Sequence, residues 1–264
     1  MAVRRIDLIG VPVDVKTGGI DALQSIVQMP YPSPIATVGI DRGDNAAILA
    51  AQFIALHDEE IRQRIIKLRK EYAAKVKQSN EDIIQKIDNK FIQNDFLRIE
   101  NIKIEEIEVD EEVCCKNEDA EVVIIAGRQA DVAAAKKAAV LLDRLKITHD
   151  TKVVCPIRST KKFTNYVKSM KNAKIFIGIS SNSSQVTGGI VGLTDRPVIG
   201  VPCTNENGDD YVLTAVNMPP GVPVATVGIN NSKNAAVLAA EILSINDSNI
   251  TELLDKLKDK KINL

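Results

Sequence analysis

Three short segments hold most of the residues able to bind or transform a small polar molecule. Gly127-Arg128-Gln129-Ala130-Asp131 sets a cation and a carboxylate just after an apolar run. Cys155-Pro156-Ile157-Arg158-Ser159-Thr160 carries a second arginine followed by two hydroxyls. Ile179 to Gly189 is rich in Ser, Asn and Gly, with Ser180, Ser181, Ser183 and Ser184 ahead of Gln185. An arginine fork matches the oxygens of a phosphate, and hydroxyls adapt to donors or acceptors on a polar ligand. Blander roles fit the same residues. Asp131 suits a helix cap, Arg128 can fill the site itself, and the serine run reads equally as a solvated loop.

Proton transfer near neutral pH is foremost a histidine task. The chain has two histidines, His57 and His149, and neither lies in these segments. Catalytic residues are therefore not assigned. Four cysteines, Cys114, Cys115, Cys155 and Cys203, lack C-x-x-C spacing. No metal site or cofactor is expected, and Cys155 and Cys203 read as small core residues in a reducing, cytoplasmic compartment. A net charge of −1 gives no electrostatic case for nucleic acid or a membrane surface. No apolar run reaches membrane-spanning length, and Arg4 and Arg5 precede no long apolar stretch of the signal-peptide kind.

The elements that must position these loops alternate regularly from Glu121 onward. Glu121–Ala126, Lys152–Cys155 and Ile175–Ile179 read as strands, and Val132–Leu145 and Lys161–Lys171 as helices. With 45% hydrophobic residues and no tryptophan, the core is aliphatic. This pattern predicts an α/β fold, a parallel sheet between two helix layers. In such a sheet, ligands sit at the carboxyl ends of the strands, where the three loops converge.

The chain also repeats itself. MPYPSPIATVGIDRGDNAAILAAQ from Met29 aligns without a gap with MPPGVPVATVGINNSKNAAVLAAE from Met218, an offset of 189 residues. Ile9–Val13 (IGVPV) and Ile199–Cys203 (IGVPC) precede the two blocks. The second copy has a long α/β stretch before its strand; the first has almost nothing. Residues 1–77 therefore read as the back half of a domain, 78–118 as a charged linker and 119–264 as a complete copy. Ala46–Leu56 reads as an Ala-rich helix, and Asp58 to about Lys77 as a charged one. A half domain exposes a sheet edge and a face, to be covered by another subunit or by docking on the complete copy.

The order G-x-x-x-D, then x-x-x-R-[ST], a small-residue loop with GG, [LIV]-G-V-P, MP, A-T-V-G-I and N-A-A-x-L-A-A resembles the PurE family. That family performs the carboxylation step of purine biosynthesis as mutase or carboxylase on aminoimidazole ribonucleotide. The resemblance covers Glu121 to about Ile245 as a full copy and Leu8 to about Tyr72 as a back half. It implies a flavodoxin-like sheet, an aminoimidazole ribonucleotide-type ligand and a homo-oligomer. It implies ligand-binding roles for Gly127, Arg128, Asp131, Arg158, Ser180, Ser181 and Gln185, and for Ser25 and Gln28 in the retained SIVQMP run. The family's two loop histidines fall on Ile157 and Gln185 here, which implies that this chain alone is inactive. The alternative is a structural or nucleotide-binding partner in a PurE-like oligomer.

Overall fold

Strand β3 (Val122–Ala126) is apolar at every position and fully buried, as a central parallel strand must be. It lies between β4 (His149–Val153) and β5 (Ile175–Ser180), followed outward by β6 (Val198–Pro202) and β7 (Ala225–Thr226). All four pairings are parallel. Counted within the complete copy the order is 2-1-3-4-5, the flavodoxin-like arrangement. The computed structural model describes residues 8–15, 18–86, 117–181, 183–205 and 212–262. Among these, no helix is long and apolar enough to cross a membrane.

Alternate strand residues feed two cores. Val122, Ile124, Ile177 and Ile199 face α4 (Val132–Arg144) and α8 (Ser232–Ser244). Val123, Ile125, Phe176 and Val198 face Phe163 and Val167 of α5 (Thr160–Ser169) and Ile190 of α6 (Gln185–Leu193). The alternation is the pleat of the sheet written in sequence. Helix α9 (Ser248–Ile262) covers α8 from outside. Only Ser181, Ser183 and Ser184 of the described residues between β5 and α6 are loop; the second half of the expected Ser180–Gly189 loop is helical. Strand β4 also begins at His149, earlier than the expected Lys152.

The half copy comprises β1 (Ile9–Gly10), α1 (Ile20–Val27), β2 (Ala36–Thr37), α2 (Gly43–Ile54) and α3 (Glu59–Lys86). Helix α3 continues past Lys77 into the charged segment. Residues 87–116 of the charged segment, Cys114 and Cys115 among them, lie outside the described residues.

The half copy joins the sheet of the complete copy. Strand β2 pairs antiparallel with β7, Thr37 opposite Thr226, so seven strands run in the order β1-β2-β7-β6-β5-β3-β4. Thr37 and Thr226 are repeat partners, and the junction obeys an approximate twofold axis. Leu23 and Val27 pack with their counterparts Val212 and Val216, the latter two on α7 (Val212–Val216), flanked by the matched pair Ile40 and Ile229. Asn45 donates from Nδ2 to the carbonyl of Pro219 at 3.0 Å and accepts at Oδ1 from the Gly221 amide at 2.9 Å. Its counterpart Asn234 donates to the carbonyl of Met29 at 2.9 Å. Leu49 and Phe53 of α2 complete the larger core.

Helix α3 braces the junction. Arg62 pairs with Asp195 at 2.9 Å, and Arg69 donates to the carbonyl of Val191. The Tyr72 ring lies against Gly221, where a Cβ would come within 2.5 Å of it. Gly221 also has φ 82°, so both the contact and the backbone require glycine. The half domain therefore covers one of its exposed surfaces within its own chain, by strand pairing and helix docking together.

Candidate functional site

The carboxyl ends of β3, β5, β6 and β7 open on a cavity of about 380 Å³. Gly127 leaves β3 with its amide bonded to the Ile179 carbonyl at 3.1 Å, and a Cβ there would meet Val186 of α6 at 2.8 Å. This close approach brings the first loop against the third. The chain then makes a single 3₁₀ turn, Gln129–Asp131, which leads into α4. Arg128 reaches across to donate to the Ser181 hydroxyl. Its Nε is buried without a partner, as is Oδ2 of Asp131. Burial pushes the Asp131 carboxyl above its ordinary range, with Ser181 and the Arg128 guanidinium pulling the other way.

Arg128, Asp131 and Ser181 line one cavity, and Gly127 permits the close approach of the two loops that carry them. Ser180 lines a narrow adjoining crevice with Ser183, Ser184 and Thr187. Arg158 sits exposed in the turn after β4, next to Ile157, and does not line the cavity. Gln185 is exposed at the start of α6. Ser25 and Gln28 lie on α1 or just beyond it, in the half copy. The Ser25 hydroxyl donates to the carbonyls of Asp21 and Ala22, at 2.7 Å and 3.1 Å.

Besides three alanines, five further lining residues were not predicted as ligand contacts: Lys137, Cys203, Thr204, Asn205 and Asn230. Thr204 and Asn230 form a latch. The Thr204 amide donates to Asn230 Oδ1 at 3.1 Å, and Asn230 Nδ2 donates to the Thr204 hydroxyl at 3.0 Å. Asn230 holds φ 56°, a conformation asparagine tolerates better than most residues. The half copy repeats the amide bond, from Asp14 to Asp41 Oδ1 at 3.1 Å, with Asp41 at φ 57°. A rule of looking up to four residues past each strand end finds Thr204 and Asn230; Lys137 lies in the second turn of α4, where a lysine reads as solvated surface.

Cys155 and Cys203 are both buried free thiols. Burial and the nearby Asp131 push the Cys203 thiol up to about 11, so it stays protonated at neutral pH and is not a ready nucleophile. The two histidines lie at the opposite pole of the sheet. His149 opens β4 and pairs with Asp143 at 3.0 Å. His57 feels Lys174, which is paired with Glu121 at the amino end of β3; burial and that lysine both lower its pKa. The cavity therefore offers cations, hydroxyls, amides and one buried carboxyl, and no imidazole.

This arrangement matches a known family. The AIR carboxylase model aligns with residues 2–75 and again with 121–263, the half copy and the complete copy. The chain belongs to the AIR carboxylase family. A probable N5-carboxyaminoimidazole ribonucleotide mutase of Methanobrevibacter smithii is 64% identical over 257 residues, 97% of this chain and 76% of that protein. A protein of the same description from Methanothermobacter thermautotrophicus is 43% identical over 97% of this chain and 75% of its own length. The N5-carboxyaminoimidazole ribonucleotide mutase of Methanocaldococcus jannaschii is 38% identical over 140 residues, 53% of this chain and 88% of that one. A crystal structure of a Treponema denticola PurE2 variant superposes with a TM-score of 0.50 at 23% identity, covering 54% of this chain and 91% of the other. That likeness bears on the fold alone.

Proposed function

We propose that this AIR carboxylase family chain serves purine biosynthesis in the cytoplasm by holding an aminoimidazole ribonucleotide-type ligand in the cavity of its complete copy. Arg128 and Lys137 supply the positive charge for the phosphate. Asp131, Ser181 and the Thr204–Asn230 latch supply acceptors and donors for the sugar hydroxyls. The orphaned Nε of Arg128 and Oδ2 of Asp131 support this reading, because buried polar atoms without partners are costly unless a ligand pairs them. The roles of Arg158, Ser180, Gln185, Ser25 and Gln28 belong to the same proposal. They require a neighbouring subunit or loop movement to reach the ligand, consistent with a homo-oligomer.

The carboxyl transfer itself needs a proton delivered to, and removed from, a ring carbon. That step requires a group titrating near neutral pH within reach of the ligand. Ile157 stands exposed where the family's histidine falls, and both histidines of this chain lie at the other pole. This single observation carries the conclusion that residues 1–264 alone do not interconvert carboxylated aminoimidazole ribonucleotides. The division proposed is a half copy in residues 1–77, a linker in 78–118 and a ligand-holding copy in 119–264.

The test is a pair of measurements on the purified chain. Turnover of N5-carboxyaminoimidazole ribonucleotide is expected to be absent, and measurable turnover overturns the inactive reading. Aminoimidazole ribonucleotide is expected to raise the thermal midpoint, with the rise lost in Arg128→Ala. No rise in the parent chain favours the alternative, a purely structural subunit, which the continuous seven-stranded sheet also supports.

A further inference from the structure

The two copies bury the same residues differently. On α8 and α9, Ala236, Val237, Ala240 and Leu254 are fully buried and Leu243 is 3% exposed, covered in part by α4. Of their counterparts on α2 and α3, Ala47 is exposed, Ile48 and Ala51 are half-buried and Ile54 is 53% exposed, while Ile65 stays buried like Leu254. Ala47, Ile48, Ala51 and Ile65 line an open apolar groove of about 370 Å³. A second gap lies beside it. Strand β6 pairs on both sides, with β5 and β7, whereas among the described residues its counterpart β1 pairs only with β2 and ends the sheet. Leu8, at that edge, is 54% exposed.

We propose that this groove and this sheet edge together form one docking surface for a front-half unit built like residues 119–197. Its helix would seat on α2 as α4 seats on α8. Its strand would add parallel to β1 as β5 adds to β6. The duplicate within the same chain is the template: it shows which element covers each vacant surface and in which direction the strand runs. The helix chemistry follows, an Ala- and Leu-faced surface like that of Ala135, Ala138 and Leu142, because small residues on both sides permit close approach. An open strand edge next to an apolar groove is a costly combination to leave in water.

The occupant is a polypeptide outside residues 1–264 and not a second copy of this chain. In a second copy, α4 and β5 are already engaged by α8 and β6. The Methanobrevibacter relative is longer than its match to this chain, by about a quarter of its length, which is close to the length of residues 119–197. The proposal concerns folding and stands whether or not the cavity binds a nucleotide.

The test fuses a second copy of residues 119–197 ahead of Leu8 of the full chain. Hydrogen exchange is then compared with the unfused chain. Amides of Ile9–Val11 and of α2 are expected to slow at least tenfold, with a higher thermal midpoint and less binding of a hydrophobic dye. Ala47→Glu/Ala51→Glu is expected to erase these gains and leave the unfused chain folded. Should the fusion fail to fold, a fluorescent helical peptide of residues 129–146 is titrated onto the full chain. Saturable binding that the double substitution abolishes supports the proposal, and absence of binding counts against it. Unchanged exchange in a folded fusion overturns it. So does a groove already protected in the unfused chain, whether by self-association or by residues 87–116.

Discussion

Asn45 and Asn234 occupy the same place in the two copies and face each other's copy across the approximate twofold axis. Asn45 uses both ends of its amide, donating to Pro219 and accepting from Gly221. Asn234 uses only one, donating to Met29, and its Oδ1 is buried without a partner. The cause lies across the junction. The counterpart of Gly221 is Pro32, which has no N–H to give. One substitution in the half copy thus left a vacancy in the complete copy, and the symmetric contact became a lopsided one. The same divergence runs through the loops, where Asp14 and Asp41 stand for Thr204 and Asn230. Duplication preserved the geometry of the junction while each side drifted chemically.

The comparison breaks most sharply at the helix faces. Val237→Asp is expected to destabilise by more than about 4 kcal/mol, because it buries an unpaired charge. Ile48→Asp, at the matching position in the open groove, should cost less than about 1 kcal/mol by denaturant titration. Equal costs would mean that the groove is filled in solution. At the junction, Asn45→Ala leaves the Gly221 amide and the Pro219 carbonyl unsatisfied, and should cost about 2–3 kcal/mol. Asn234→Ala should cost only about 1 kcal/mol, since half of its hydrogen bonding is already missing. Gly221→Ala should cost about 2 kcal/mol, from its positive φ and from Tyr72, and part of the loss should return in a Tyr72→Ala background.

The smallest effect is expected within the site. The Asp131 carboxyl is raised above its unfolded value, so across that interval the native state holds a proton that the unfolded chain has released. Its stabilising contribution is present at low pH and is lost as pH rises through the folded pKa. Asp131→Asn, which cannot ionise, should therefore be the more stable protein at neutral pH, by up to about 1 kcal/mol. Thermal melts should show the advantage shrinking as pH falls toward the ordinary carboxylate range. An advantage that grows on acidification would contradict the burial argument.

Much of this was legible in the sequence because the strands are short, apolar and regularly spaced. The parallel sheet followed from that spacing, the flavodoxin-like arrangement from the family likeness, and the repeat from matching residues at a fixed offset. Helix α6 was not legible, since Gly188-Gly189 and several β-branched residues weaken its intrinsic propensity. Packing supplies what propensity lacks: Thr187 and Ile190 close on Gly178, where a Cβ would come within 2.7 Å of Thr187. The strand pairing across the copies was hidden for another reason. Periodicity tells which face of a strand is buried, and says nothing about which neighbour it chooses. Arg128, Asp131 and Ser181 could be placed near one another because each lies within five residues of the carboxyl end of a strand. Lys137 was not picked out, because its place on the cavity depends on which way α4 turns.

The long bracing helix α3 has a consequence in time. Arg62, Arg69 and Tyr72 find their partners at Asp195, Val191 and Gly221, more than a hundred residues further along the chain. Strand β2 must wait for β7, and Asn45 for Pro219. The complete copy is assembled largely from neighbours in sequence, whereas the half copy closes loops as long as the complete copy itself. During synthesis residues 8–86 are therefore made before any of these partners. They lack these anchors until residues 191–226 have left the ribosome, so this segment settles after residues made later than it.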